Sequence, residues 1–107
     1  MKNINDLFLR IVVITNNRYK AREIIDAISE KYDLRCMCHC YNNMYRYGES
    51  MSVEWMHPVE DFFRGKYFNV AFIDNNISIK IVEAIKAILI HGTTEIVYFN
   101  EPAEILV

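Results

Sequence analysis

Two stretches carry residues whose types and spacing could do chemistry. Val70-Ala71-Phe72-Ile73 runs into Asp74-Asn75-Asn76, and Ile11-Val12-Val13-Ile14 runs into Thr15-Asn16-Asn17. In each, four consecutive apolar residues stop at polar ones, and an amphipathic helical pattern begins at once. A run apolar on both faces marks a strand buried in a parallel sheet. Its polar end then lies at the carboxyl edge, where ligands of open α/β sheets collect. Asp74 and Asn75 facing Asn16 and Asn17 would offer one carboxylate and several amides to a divalent cation or a phosphate. Asp and Asn are also the ordinary residues for capping a helix and turning a chain, and that use competes at all four positions. Arg18, Lys20 and Arg22 could add charge for a phosphate at the helix N-terminus. Neither Gly-rich nucleotide fingerprint is present, however, and a solvated basic helix face accounts for these residues more simply.

Cys36, Cys38, His39 and Cys40 raise the question of a metal, with His57 or His91 as a further ligand. The spacing C-x-C-H-C departs from the knuckles of zinc sites, and strand alternation sends His39 to the face opposite the cysteines. Cysteine is also a commonly buried small apolar residue. Neither a metal nor any other cofactor is therefore expected, and nothing marks a catalytic thiol. Tyr41, Tyr45, Arg46, Tyr47 and Trp55 interleave aromatics with a charge. Such a stretch could stack nucleobases or form a protein contact, where Tyr, Trp and Arg are enriched. With Glu49 and Glu54 beside a single Arg, the protein contact is the better reading, and packing of the segment on its own core is the plain alternative.

The elements that must position these residues follow from periodicity. A first strand over about residues 9–15 leads into a helix over 18–32, capped by Asn16 or Asn17 and burying Ala21, Ile24, Ile25, Ile28 and Tyr32. A second strand over about 34–41 alternates and so belongs nearer a sheet edge. Residues 42–57 form an insert in which Met51, Val53 and Trp55 alternate with Ser52, Glu54 and Met56, as an extra strand would. Pro58 opens a short helix with Val59, Phe62 and Phe63 facing inward and Gly65 ending it. A third strand, about 68–74, leads into a helix over 78–91 that begins at Ser78 and buries Ile81, Val82, Ile85, Ile88 and Leu89. A fourth strand covers about 95–100. The expected fold is one α/β domain, a three-layer α/β/α sandwich around a mostly parallel sheet of four to five strands in the order 2-1-3-4.

The totals agree with that scale. The chain has 107 residues, 52% hydrophobic, which suits one domain with one core. A net charge of −2 and a pI near 5.9 supply no basic field, so nucleic acid is disfavoured as a partner. No apolar run approaches the ~20 residues of a membrane span. The first residues lack a signal pattern, and three cysteines suit a reducing compartment, so a cytoplasmic location is expected. The Asn, Ile, Lys and Tyr bias fits an AT-rich genome, such as that of a low-GC bacterium or a phage.

The segment Val59-Glu60-Asp61-Phe62-Phe63-Arg64-Gly65-Lys66-Tyr67-Phe68-Asn69 leading into Val70–Asp74, with Val82-Glu83-Ala84-Ile85-Lys86 and Ile96-Val97-Tyr98-Phe99, resembles the receiver domain of response regulators, a flavodoxin-like family. The resemblance spans about residues 10–100. It implies that Asp74 stands where receivers carry their phosphoryl-accepting Asp. The departures are specific. Thr15-Asn16-Asn17 replaces the acidic pair that holds Mg²⁺, Asn100 stands where a Ser or Thr follows the fourth strand, and Glu101-Pro102 stands where receivers have Lys-Pro. The family's last helix, and a strand with it, have no counterpart. Mg²⁺ is held by carboxylates together with phosphate oxygens, so the resemblance implies the scaffold without the phosphorylation chemistry.

The expectation is thus a non-catalytic protein-interaction or regulatory module whose partner is another protein or a second copy of the chain. The alternatives are a phosphate-, nucleotide- or Mg-binding protein using the carboxyl edge, and nucleic-acid binding through the first helix and the insert.

Overall fold

The computed structural model describes residues 9–31, 37–41, 44–47, 51–89 and 95–100, with the side chains of 37–41, 46 and 47 outside that description. In chain order the elements are β1 (Leu9–Ile14), α1 (Arg18–Lys31), β2 (Met37–Tyr41), β3 (Met44–Tyr47), β4 (Met51–Met56), a single 3-10 turn (Glu60–Phe63), β5 (Val70–Asp74), α2 (Ile79–Leu89) and β6 (Glu95–Phe99). The strands form one six-stranded sheet in the order β2-β3-β4-β1-β5-β6. β1 lies parallel to both β4 and β5, and β6 parallel to β5, while β3 runs against β2 and β4. The sheet is mostly parallel and the fold is α/β.

Unbroken apolar strands need cover on both faces, and β1 shows how it is supplied. Ile11 and Val13 join Ile24, Ile25 and Ile28 of α1 in one core, together with Val53, Val70 and Phe72. Val12 and Ile14 point the other way, into a core with Ala71, Ile73, Phe63, Phe68 and the α2 residues Val82, Ile85 and Leu89. Each fully buried aliphatic or aromatic side chain contributes about 1.5–3 kcal/mol, so the two central strands stabilise both layers. The connection from β1 to β4 moves one way along the sheet, and those from β4 to β5 and β5 to β6 move the other. They lie on opposite faces, as right-handed crossovers require.

The expected strand order 2-1-3-4 does not hold. Residues 37–41 lie at the outer edge of the sheet, and β4 from the insert takes the place beside β1, with Leu9 opposite Met51 and Ile14 opposite Met56. The reason is side-chain payload. β4 sends Met51, Val53 and Trp55 into the α1 core, whereas 37–41 carries a His and two Cys. The connections at 42–43 and 48–50 have hairpin length, and two successive reversals bring β4 back parallel to β1.

Two further expectations fail on solvent exposure. The helix after Pro58 is only the 3-10 turn, and of its three expected inward residues Phe63 alone is buried, while Val59 and Phe62 are exposed. Gly65, at φ 78°, breaks the segment in the left-handed region that favours glycine. On α2, Val82, Ile85 and Leu89 are buried as expected, Ile88 is half-buried, and Ile81 is exposed. Leu9 packs partly against the α1 core, while Leu7, Phe8 and Tyr32 lie outside the described residues.

Candidate functional site at the carboxyl edge

The polar ends of β1, β4, β5 and β6 meet at one edge, and backbone bonds tie them together. Thr15 N–H donates to the Met56 carbonyl at 3.3 Å, and Asn75 N–H to the Phe99 carbonyl at 2.9 Å. Asn17 caps α1: its Oδ1 accepts from the N–H groups of Tyr19 and Lys20 at 2.9 and 3.0 Å, and its carbonyl accepts the first helical bond from Ala21. The cap sets where the first turn of α1 sits, and with it Lys20.

Asp74, at the end of β5, is 4% exposed. Its Oδ2 accepts from the Thr15 hydroxyl at 2.7 Å. Its Oδ1 accepts from Lys20 Nζ at 2.9 Å and from the Asn76 N–H at 3.0 Å. The Thr15 oxygen in turn accepts from the Asn17 N–H at 3.1 Å, which orients the hydroxyl proton toward the carboxylate. Lys20 also lies over the Phe99 ring at 5.5 Å from its centroid. One network therefore joins β1, α1, β5 and β6 through a buried ion pair.

Burial on its own would raise the Asp74 carboxyl. The Asn76 N–H, the Thr15 hydroxyl and the Lys20 ammonium outweigh it, and the group titrates below the usual carboxylate value. An unfolded Asp titrates near ~3.9. Because the folded value lies lower, the network's contribution is fully present above the unfolded value and is lost as pH falls through the folded one. In urea unfolding at constant ionic strength, wild-type stability is expected to fall between about pH 5 and pH 2 more steeply than that of Asp74→Asn. Parallel profiles for the two proteins would show that the carboxylate is not held as described.

Beside this pair lies a cavity of about 210 Å³ lined by Asn16, Asn17, Lys20, Asp74, Asn76 and Ile77. The structure thus brings three of the expected edge residues, Asn16, Asn17 and Asp74, to one pocket. Asn75 is exposed and is held by its backbone bond to Phe99. Asp74 also turns the chain through Asn76, so the turn role and the network coexist, while α2 begins later, with Val82 N–H bonded to the Ser78 carbonyl. A divalent cation at Asp74 would have to displace the Lys20 ammonium, and a phosphate would approach a carboxylate already compensated. No group of three or more His, Cys, Asp or Glu among the described residues could hold a metal ion. Among the same residues no helix is long and apolar enough to cross a membrane.

Sequence reasoning missed Lys20, which it placed on a solvated face. The signal was present: Lys20 precedes Ile24 by four and Ile28 by eight, so it continues the buried stripe of α1 toward the sheet edge. A cation on that stripe has to find an anion.

Of the expected interaction residues, Trp55 is half-buried against the α1 core and donates its indole N–H to the Thr15 carbonyl at 2.9 Å. Its ring also tilts against His57, with centroids 4.8 Å apart. Tyr45 is half-buried against the same core. The side chains of Tyr41, Arg46 and Tyr47 lie outside the described residues, as do Cys36, His91 and the side chains of Cys38, His39 and Cys40. No family model matches the chain, and no curated protein or solved structure matches it significantly.

Proposed function

We propose that the chain is a non-catalytic protein-interaction module, built on a receiver-like scaffold whose carboxyl edge serves structure in place of phosphoryl transfer. One observation carries this reading. Seven large apolar side chains are exposed among the described residues, and six of them, Val59, Phe62, Tyr67, Ile79, Ile81 and Tyr98, lie on α2, on the crossover beside it or on β6. Tyr98 shares this face: it has the parity of Ile96, which packs in the α2 core, and Lys86 of α2 lies over its ring at 5.8 Å. Among the described residues, the α1 face has only Tyr19 exposed in this sense. Its solvent positions are mainly charged, among them Arg18, Arg22, Glu23, Asp26, Glu30 and Lys31. Apolar exposure gathered on one face marks an interaction surface, whereas scattered exposure needs no explanation.

The internal satisfaction of Asp74 supports the non-catalytic half of the reading. A carboxylate that accepts from Thr15, Lys20 and Asn76 is already compensated and is not free to serve a metal-assisted step. The amide-lined cavity favours a second reading, in which a small phosphate-bearing or Mg-bound ligand occupies the edge.

Immobilised wild-type chain is expected to retain a protein from a lysate of its source cell, its own untagged copy included. Phe62→Asp is expected to lose it while keeping its far-ultraviolet circular dichroism. Retention of nothing, together with a melting temperature raised by phosphate or Mg²⁺ in wild type but not in Asp74→Asn, would replace the interaction reading with the ligand one.

A further inference from the structure

We infer that the partner seated on this face is a second copy of the chain, related by a two-fold axis along the seam between α2 and the 3-10 turn. The inference rests on the interaction reading above and gives it an occupant.

The 3-10 turn packs against α2. Because Lys86 lies over Tyr98, the flank of α2 carrying positions 79, 83 and 86 faces β6. At 100° per residue, positions 81, 84 and 88 fall on the opposite flank, toward the turn. Exposed Ile81 therefore lies on the seam side of the helix, and of the exposed residues across from it Phe62 belongs to the turn and Val59 immediately precedes it. The result is an apolar strip between two elements.

Those elements carry residual charges of opposite sign. On the turn side, Glu60 and Asp61 are both paired to the single guanidinium of Arg64, which leaves one negative charge over. On α2, Glu83 pairs with Lys86 at 3.9 Å, and exposed Lys80 has no ion-pair partner among the described residues. A negative flank, an apolar strip and a positive flank lie side by side. A two-fold axis along the strip lays it on its own copy, and each Lys80 then faces the other copy's Glu60 and Asp61. An isologous contact of this kind closes on itself and needs no other chain to match the pattern.

The test is sedimentation equilibrium on the full chain, from ~1 to ~100 µM, where mass action governs assembly. Wild type is expected to approach twice the 12.7 kDa chain mass. Phe62→Asp, which places a charge at the centre of the strip, should raise the dissociation constant about 30-fold or more. Lys80→Glu and Asp61→Lys should each weaken self-association about tenfold, and an equimolar mixture of the two should recover it, because only the mixed dimer restores both cross-pairs. These are surface positions, and circular dichroism checks that each variant is folded.

A wild type that stays monomeric throughout overturns the proposal, as does a dimer indifferent to Phe62→Asp or a mixture with no recovery. If wild type is monomeric and the immobilised chain still retains a different protein, the interaction reading stands and only the occupant is wrong. If neither is seen, both fall.

Discussion

Replacing Asp74 with alanine is expected to cost the fold about 3 kcal/mol or more at pH 7, read as a lower urea midpoint with an unchanged m-value. The size follows from what the substitution leaves behind. The Lys20 and Asp74 side chains are 15% and 6% exposed, so removing the carboxylate strands an ammonium largely away from water. The Asn76 N–H and the buried Thr15 hydroxyl lose an acceptor in the same step, and for the buried one of these donors the cost is about 1–3 kcal/mol. The double variant Asp74→Ala/Lys20→Met is expected to recover most of the loss, because a buried pair replaced by apolar groups is often neutral while a broken pair is not. This outcome also separates a structural carboxylate from a functional one. A carboxylate kept for phosphoryl transfer or metal binding is commonly held at a cost in stability, and its removal then stabilises. A stabilised Asp74→Ala would therefore remove the structural reading of the carboxyl edge.

Adjacent phenylalanines should behave as opposites. Phe63 is fully buried in the core between the sheet and α2, and Phe62 is 50% exposed. Phe63→Ala is expected to destabilise by about 3–5 kcal/mol, since a buried ring leaves a cavity that the surrounding side chains fill only in part. Phe62→Ala should stay within about 0.5 kcal/mol in the stability of the monomer, as surface substitutions do, and should act on assembly instead. Unfolding at low protein concentration reads the first effect without the second. Equal losses at the two positions would place both rings inside, as the sequence pattern alone expects, and would take away the apolar strip.

That pair shows where the pattern runs out. Alternation and helical spacing rank residues by face only if the segment is long enough to have a period, and the 3-10 turn has four residues. Both rings look like core in the sequence; packing against α2 admits one. The same limit applied to residues 42–57. Alternation of Met51, Val53 and Trp55 was legible as a strand, but no local signal says which strand of a meander will lie against β1. That choice was made by the apolar load that each strand could offer the α1 core, summed over partners that are far apart in sequence.

Local pattern alone was enough for the α/β class, the two buried strands β1 and β5, both helices with most of their buried stripes, and the meeting of Thr15-Asn16-Asn17 with Asp74 at one edge. Each of these is written in local periodicity or in an abrupt end to an apolar run. It took the packed chain to show that Asp74 is locked by Lys20 and Thr15, each more than fifty residues away. Packing also placed Trp55 on the Thr15 carbonyl and left the apolar surface on the α2 side. A side chain's partner depends on which segments cross in space, and a buried charge fixes only that some partner must exist.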